Sequence, residues 1–177
     1  MTITSNSKHA PNLLKFPAKQ LRARVIARHV YSAGYPGVVV FTCGNAATAL
    51  RRATNASVLE IGPKGELTPN RWYTPAEIHK TWPYLFDATS GHLPLPLMVE
   101  IADEFKTYLG DLPEVLTFVP TGSGETIFCL SLAYPDVPFV AVYDNKKSPT
   151  TRDPHSPLNP IIDKLFTVEY WDGLLDV

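Results

Sequence analysis

Three short runs of apolar residues alternate with helical segments along this chain, and that order limits the folds that it can adopt. The runs are Val38 to Phe41, Val115 to Val119 and Phe139 to Tyr143. A short continuous apolar run is typical of a strand that is buried on both faces of a parallel sheet. Strands that alternate with helices predict an α/β fold with three layers, in which a mainly parallel sheet has helices on both faces.

The helical segments are recognised by apolar spacing and by signals at their ends. Between Ala18 and Ala33, apolar residues recur at three- and four-residue intervals, and Gly34 follows as a stop signal. The sequence Thr-Pro-Ala-Glu at 74–77 has the pattern of a capping box and predicts a short helix that ends before Pro83. The other predicted elements are helices over 45–53 and 97–109 and a strand over 57–61, whereas 86–96 is predicted to be irregular.

The length of the chain, 177 residues, suits one domain with a small appendage. Polar residues 1–12 are predicted to form a flexible N-terminal arm, and residues 13–145 a single α/β domain. A much reduced small subdomain is expected as an insertion at about residues 54–94. Residues 146–177 begin with a proline-rich stretch and are predicted to form a C-terminal extension, whose last segment packs back on the body.

Composition excludes several classes of protein. The 16 Lys and Arg residues and 17 Asp and Glu residues give a net charge of −1, which argues against nucleic-acid binding through overall charge. The basic helix from Lys19 to Arg28 leaves a local nucleic-acid contact open. Two cysteines are too few for a disulfide scaffold, and no residue cluster has metal-ligand spacing, so no metal is expected. Without a long apolar run or an apolar signal segment, we expect a cytoplasmic protein with no membrane contact.

Two polar loops follow predicted strands at their carboxyl ends, where parallel sheets bind ligands. The first loop, TCGN at 42–45, offers an amide, a thiol and backbone N–H groups. The second, TGSGET at 121–126, has glycines that let backbone N–H groups converge on an anion at a helix start. Both loops also suit plain turns that only connect elements. Cys43 in the first loop is either a nucleophile or a small buried thiol.

The order of five segments resembles the fold-type II pyridoxal-phosphate enzymes, the superfamily of the tryptophan synthase β subunit, serine dehydratase, threonine synthase and cysteine synthase. The segments are KFPAKQLRAR, FTCGNAATAL, HLPLPLMVEIADEF, VLTFVPTGSGET and VPFVAVY. In that family a lysine opens a helix, a strand and an S-G-N-type loop follow, and a later strand runs into a glycine-rich phosphate loop. Residues 122–126 match a G-x-G-G-T loop at four of its five positions, and the resemblance covers roughly residues 13–145.

The resemblance implies pyridoxal 5′-phosphate as the cofactor and gives roles to individual residues. Lys19 would bind the cofactor covalently and later transfer protons, and Asn45 would hydrogen-bond the ring hydroxyl. His92 lies where the family has substrate-facing residues and is an acid/base candidate. The substrate carboxylate would bind Thr42, Cys43 and Gly44, and the cofactor phosphate would bind Gly122, Ser123, Gly124, Glu125 and Thr126.

Two departures from the family and a rival lysine keep other interpretations open. Glu125 replaces a loop glycine, and a carboxylate repels a phosphate unless its side chain turns away or meets an arginine. Lys15 is a rival to Lys19 as the cofactor lysine, and both suit a solvated basic helix and its lead-in. About fifty residues follow the phosphate loop, too few for the family's usual C-terminal strands, so no residue can be assigned to the pyridine nitrogen.

Three functions are compatible with these features, and the resemblance favours the first. The first is a minimal pyridoxal-phosphate-dependent lyase or transferase that acts at the α or β carbon of an amino acid or amino-acid-like group by elimination or replacement; the resemblance implies a homodimer. The second is a catalytically inactive relative that serves as a binding or regulatory protein. The third is an unrelated α/β domain that binds a nucleotide or a phosphorylated ligand in the same two loops.

Overall fold

The computed structural model describes residues 2–3, 12–41, 45–67, 71–89, 91–144, 152 and 154–172 of the chain. None of the helices in these ranges is long and apolar enough to cross a membrane. The elements are, in chain order, β1 Thr2–Ile3, α1 Ala18–Ala33, β2 Gly37–Phe41, α2 Ala46–Ala53, β3 Ser57–Ile61, α3 Pro75–Thr81, β4 Phe86–Asp87, α4 Leu95–Leu109, β5 Thr117–Pro120, α5 Glu125–Ala133, β6 Phe139–Asp144, α6 Asn159–Leu165 and β7 Thr167–Trp171.

The strands form two parallel sheets. The first has three strands in the order β3-β2-β4, and Val38 of its central strand is in register with Val58 of β3 and Phe86 of β4. The second has four strands in the order β1-β7-β6-β5, and Val140 of β6 is in register with Phe118 of β5. Parallel neighbours place their carboxyl ends at one edge, so in each sheet the loops that follow the strands leave from a single edge.

The main core joins the two sheets through four helices. Val38 and Val40 of β2 pack in this core, whereas the alternate residues Val39 and Phe41 pack with Ile78 of α3 on the opposite face. Strand β6 divides its side chains between the main core and a third, smaller cluster in the same way. Helices α1, α2, α4 and α5 supply much of the main core. The predicted α/β class, with parallel strands and helices in layers, is confirmed.

Several elements form because of local signals that the sequence displays. Helix α1 has the predicted bounds and ends where Gly34 adopts a left-handed conformation with φ of 75°. The capping box of α3 is formed, with the Thr74 hydroxyl accepting from the Glu77 N–H and the Glu77 carboxylate accepting from the Thr74 N–H. Strand β2 is buried along its whole length, as its continuous apolar run predicted.

Other elements differ from the prediction because their pairing partners are distant in sequence. Residues Thr2–Ile3, within the arm predicted to be flexible, form β1 and pair with β7. Residues Phe86–Asp87, predicted to be irregular, form β4 beside β2. The C-terminal extension supplies α6 and β7, and β7 pairs with β6 inside the second sheet. A strand of two residues has no periodic pattern that a sequence could display. The domain boundaries themselves stay predictions.

Candidate functional site

A cleft of about 530 Å³ lies where three helices begin. One wall is residues 14–20, which lead into α1 and form its first turn. The opposite wall is one face of α2, beginning at its N-cap residue Asn45, and the remainder is the end of β5 with Thr126 of α5. The volume is within the range of pockets that bind small ligands. The polar residues that line it are Lys15, Lys19, Gln20, Asn45, Thr48, Arg52 and Thr126.

Lys19 reaches the cleft because the segment before α1 is fixed to β5. The Leu14 N–H donates to the Phe118 carbonyl at 2.9 Å, in the manner of a short additional strand. The Phe16 ring packs edge-to-face on Phe105 of α4, with ring centroids 4.9 Å apart. These contacts start α1 beside the carboxyl end of β5, and Lys19 is the second residue of the helix.

The starts of the three helices make the cleft attractive to an anion. The N-cap residues Pro17, Asn45 and Gly124 make no side-chain capping bond to the first turn. The first turn of a helix has N–H groups without intrahelical partners, and the helix dipole adds partial positive charge there. The basic side chains Lys15 and Lys19 border the same cleft. A phosphate or carboxylate is therefore the ligand group that this end of the cleft favours.

The glycine-rich loop over 122–125 does not itself line the cleft. Gly124 has φ of 93°, and a Cβ added to it would lie 2.7 Å from Ile162 Cγ1, so the loop is packed closely against α6. The Ser156 hydroxyl donates to the Ser123 carbonyl at 2.8 Å. Of the predicted phosphate loop, only Thr126 borders the cleft, and the C-terminal segment contacts the loop elsewhere.

Glu125 is engaged in a buried ion pair. Its carboxylate accepts from Arg22 Nε and, at 2.9 Å, from the Gly91 N–H, while Arg22 Nη2 donates to the Ala88 carbonyl at 2.6 Å. The side chains of Arg22 and Glu125 are only 7% and 3% exposed. The carboxylate is thus directed to an arginine and not to the cleft, which is the condition under which it does not repel a bound phosphate.

The sequence offered one signal for this pair that was missed. Arg22 follows Leu21 and precedes Val25 and Ile26 by three and four positions, so it lies on the apolar face of α1, and all four residues are buried. An arginine at such a position requires an acidic partner. The identity of that partner has no local signature, because Glu125 lies 103 residues away.

His92 lies at the carboxyl edge of the three-stranded sheet, where it has contacts of its own. Its Nδ1 is 2.8 Å from the Asp87 carboxylate and 2.5 Å from the Thr89 hydroxyl, and its ring is 6.3 Å from the Phe41 ring. The side chain is 4% exposed, and its Nε2 has no hydrogen-bond partner in the described part of the chain. A carboxylate on Nδ1 fixes the orientation of the ring. His92 does not border the cleft that holds Lys19.

Two buried titratable groups also lie outside the cleft lining. Burial raises the pKa of the Cys129 thiol above its usual value, which disfavours the thiolate, the nucleophilic form. Burial likewise raises the pKa of Tyr143 to about 12, and its hydroxyl has no partner among the described residues.

The structure therefore brings together some of the predicted site residues. Lys19, Asn45 and Thr126 border one cleft although they come from three separate helices, and the rival Lys15 borders it too. Gly122, Ser123, Gly124 and Glu125 lie beside the cleft, and His92 lies apart from it. The predicted substrate-binding residues Thr42, Cys43 and Gly44 are outside the described residues.

Comparison with solved structures gives a similar fold in two enzymes. A pyridoxal 5′-phosphate-dependent aspartate racemase superposes with a TM-score of 0.52 and 14% identity, over 87% of this chain and 64% of the racemase. The O-acetyl serine sulfhydrylase isoform 3 from Entamoeba histolytica superposes with a TM-score of 0.50 and 14% identity, over 95% of this chain and 68% of that one. The fold resembles that of a pyridoxal-phosphate-dependent enzyme. The chain spans about two thirds of the length of either enzyme. No protein-family model and no curated protein sequence matches the chain.

Proposed function

We propose that this chain is a minimal pyridoxal-phosphate-dependent enzyme that binds its cofactor in the Lys19 cleft. Its substrate would be an amino acid or an amino-acid-like group, and its reaction an elimination or replacement at the α or β carbon. The observation that supports this proposal most is the joint presence of Lys19, Asn45 and Thr126 around one cleft, each at the start of a different helix. The similarity of the fold to a pyridoxal-phosphate-dependent enzyme supports it independently.

The residues that border the cleft fit the chemistry of this cofactor. An amine, supplied by Lys19, is what the cofactor aldehyde requires, and the starts of α1 and α2, whose N-cap residues make no side-chain capping bond, suit its phosphate. Asn45 offers an amide that can hydrogen-bond the ring hydroxyl. No carboxylate borders the cleft in the described part of the chain, because Glu125 is held by Arg22. The volume of about 530 Å³ is sufficient for a ligand of this size.

Each residue would have a distinct task in the reaction. When bound, the cofactor supplies an electron sink for bond cleavage at the α carbon of the substrate. Lys19 Nζ would accept a proton from that carbon and return it, since an amine held at the reacting centre is suited to proton transfer. Asn45 would orient the ring, and the first turns of the helices would hold the phosphate. The packing of residues 14–16 on β5 and α4 would keep Lys19 in place.

The experiment that tests this function is a titration of the purified chain with pyridoxal 5′-phosphate and, separately, with pyridoxal. We expect a visible absorption band with the phosphorylated compound and at least about tenfold weaker binding without the phosphate, because several charge-assisted hydrogen bonds are lost. Lys19→Ala should abolish the band, and Lys15→Ala, which removes a neighbouring lysine of the same cleft, should retain it. A chain that develops no band with either compound would refute the cofactor assignment.

The binding of a phosphorylated ligand without catalysis is the second candidate function. The observation that favours it is the position of the loop over 122–125, which packs against the C-terminal segment and does not border the cleft. Under this second candidate function, the chain would be a catalytically inactive relative of the enzymes or a nucleotide-binding α/β domain. Saturable binding of a nucleotide together with failure to bind pyridoxal 5′-phosphate would favour it. A cytoplasmic location and a homodimeric state accompany the first proposal.

A further inference from the structure

Basic side chains outnumber acidic ones in the described lining of the cleft. Three cationic side chains, Lys15, Lys19 and Arg52, contribute to its lining, and no acidic side chain does so within the described residues. A lysine bonded to an aldehyde and a phosphate on the helix starts would account for one end of the cleft. Arg52 is not used by that arrangement. A second anionic group on the ligand would complement Arg52.

Arg52 lies at the far end of one helix face. Asn45, Thr48, Ala49 and Arg52 border the cleft, and their spacing of three, one and three residues places them along a single face of α2. With a rise of about 1.5 Å per residue, the backbone of Arg52 is about 10 Å along the helix axis from that of Asn45. The cleft thus has an anion-attracting region at the helix starts and an arginine whose backbone lies about two turns farther along α2.

Arg52 and its neighbour Arg51 differ in the contacts that they make within the protein. Arg51 donates to the Glu60 carboxylate at 3.1 Å and to the Val58 carbonyl at 3.3 Å, and it lies 3.6 Å from the Glu66 carboxylate. Arg52 forms no such bond or ion pair with any part of the chain that the structure describes, and its side chain is exposed. Two identical, adjacent side chains therefore differ: one is paired within the protein, and the other borders the cleft.

We propose that Arg52 binds an acidic group at the end of the substrate side chain, so that the cleft selects acidic amino acids over neutral ones of the same size. This inference rests on the proposed function, since it assigns the second end of the same cleft. A guanidinium presents two parallel N–H donors that match the oxygens of a carboxylate or a phosphate. The shared chemistry is an anionic end group, which either source can supply.

The test uses the full chain loaded with pyridoxal 5′-phosphate. Dissociation constants are measured from the change in cofactor absorption for two matched pairs, aspartate against asparagine and O-phosphoserine against serine. The wild-type protein should prefer the acidic member by at least about tenfold, as expected for a charge-assisted hydrogen bond. Arg52→Gln should reduce the preference to within about twofold, and Arg51→Gln should leave it unchanged.

The outcomes separate the inference from the proposed function, because cofactor binding is measured first in all three proteins. Normal cofactor binding with no acidic preference in the wild type overturns the role of Arg52 alone. The same holds if the preference persists in Arg52→Gln, or if Arg51→Gln also abolishes it. Dependence on Arg52 for only one pair identifies the carboxylate or the phosphate as the source. If no cofactor binds, the proposed function fails. In that case, calorimetry measures the binding of aspartate and asparagine to the three proteins without cofactor. The same comparison of their acidic preferences then supports or overturns the role of Arg52.

Discussion

Glu125→Gln is expected to destabilise the protein strongly, because it leaves the Arg22 guanidinium buried without its counter-charge. The two side chains are 7% and 3% exposed, so water cannot replace the lost partner. Removal of one member of a buried ion pair costs about 3–5 kcal/mol. The free energy of unfolding of a typical domain is about 5–15 kcal/mol, so this loss is a large fraction of it. Glutamine keeps the shape of the side chain and an oxygen for the Gly91 N–H, so the substitution removes mainly the charge.

Urea unfolding followed by far-ultraviolet circular dichroism measures this effect. With a slope of about 2 kcal/mol per molar urea, the loss should lower the unfolding midpoint by about 2 M. The matched control is Glu104→Gln, whose partner Arg28 is 57% exposed, and it should change the free energy of unfolding by less than about 1 kcal/mol. An Arg22→Met, Glu125→Leu double variant should recover much of the loss, because apolar residues tolerate burial. A Glu125→Gln protein as stable as the wild type would refute the reasoning.

Three further predictions concern packing, capping and titration. Gly124→Ala should lower the free energy of unfolding by about 2–3 kcal/mol, because the residue has a left-handed conformation and its Cβ would meet Ile162. Gly34→Ala, which is also left-handed but has open space around it, should lower it by about 1 kcal/mol. Equal losses in urea unfolding would contradict this. Thr74→Ala should lower the free energy of unfolding by about 1 kcal/mol through loss of the α3 cap, and Thr74→Ser should not. Because burial raises the pKa of Tyr143 from 10 to about 12, the unfolded state loses its proton first, so stability should fall as pH rises from 10 to 12. Tyr143→Phe should lessen that fall, and an unchanged pH profile in the variant would disprove the assignment.

The parts of the fold that could be predicted are those with local signals. The bounds of α1 follow from apolar spacing and from Gly34, and the capping box of α3 is complete within four residues. Strands β1 and β4 could not be predicted, since two residues show no period and their pairing depends on β7 and β2. The position of the glycine-rich loop could not be predicted either, because the contact of Ser123 with Ser156 spans 33 residues.

The candidate site shows the same division. Lys19, Asn45 and Thr126 each stand at a helix start that the sequence predicted, and topology brings these starts to one cleft. Glu125 is paired with Arg22, which lies in a different helix. From the sequence one could say only that Glu125 needs an arginine partner or must turn away from a bound phosphate, and not which arginine it meets. The sequence does not distinguish Arg52 from Arg51, because only the fold places one of them at the cleft.

The measurement that tests the central claim most directly is the site of covalent attachment of the cofactor. The full chain is incubated with pyridoxal 5′-phosphate at low molar excess, reduced with borohydride, digested and mapped by mass spectrometry. The account predicts one dominant pyridoxyl label on Lys19, and predicts that inorganic phosphate in excess reduces it, since both compounds compete for the same helix starts. A dominant label on Lys15, or labels scattered over surface lysines with no effect of phosphate, would contradict it.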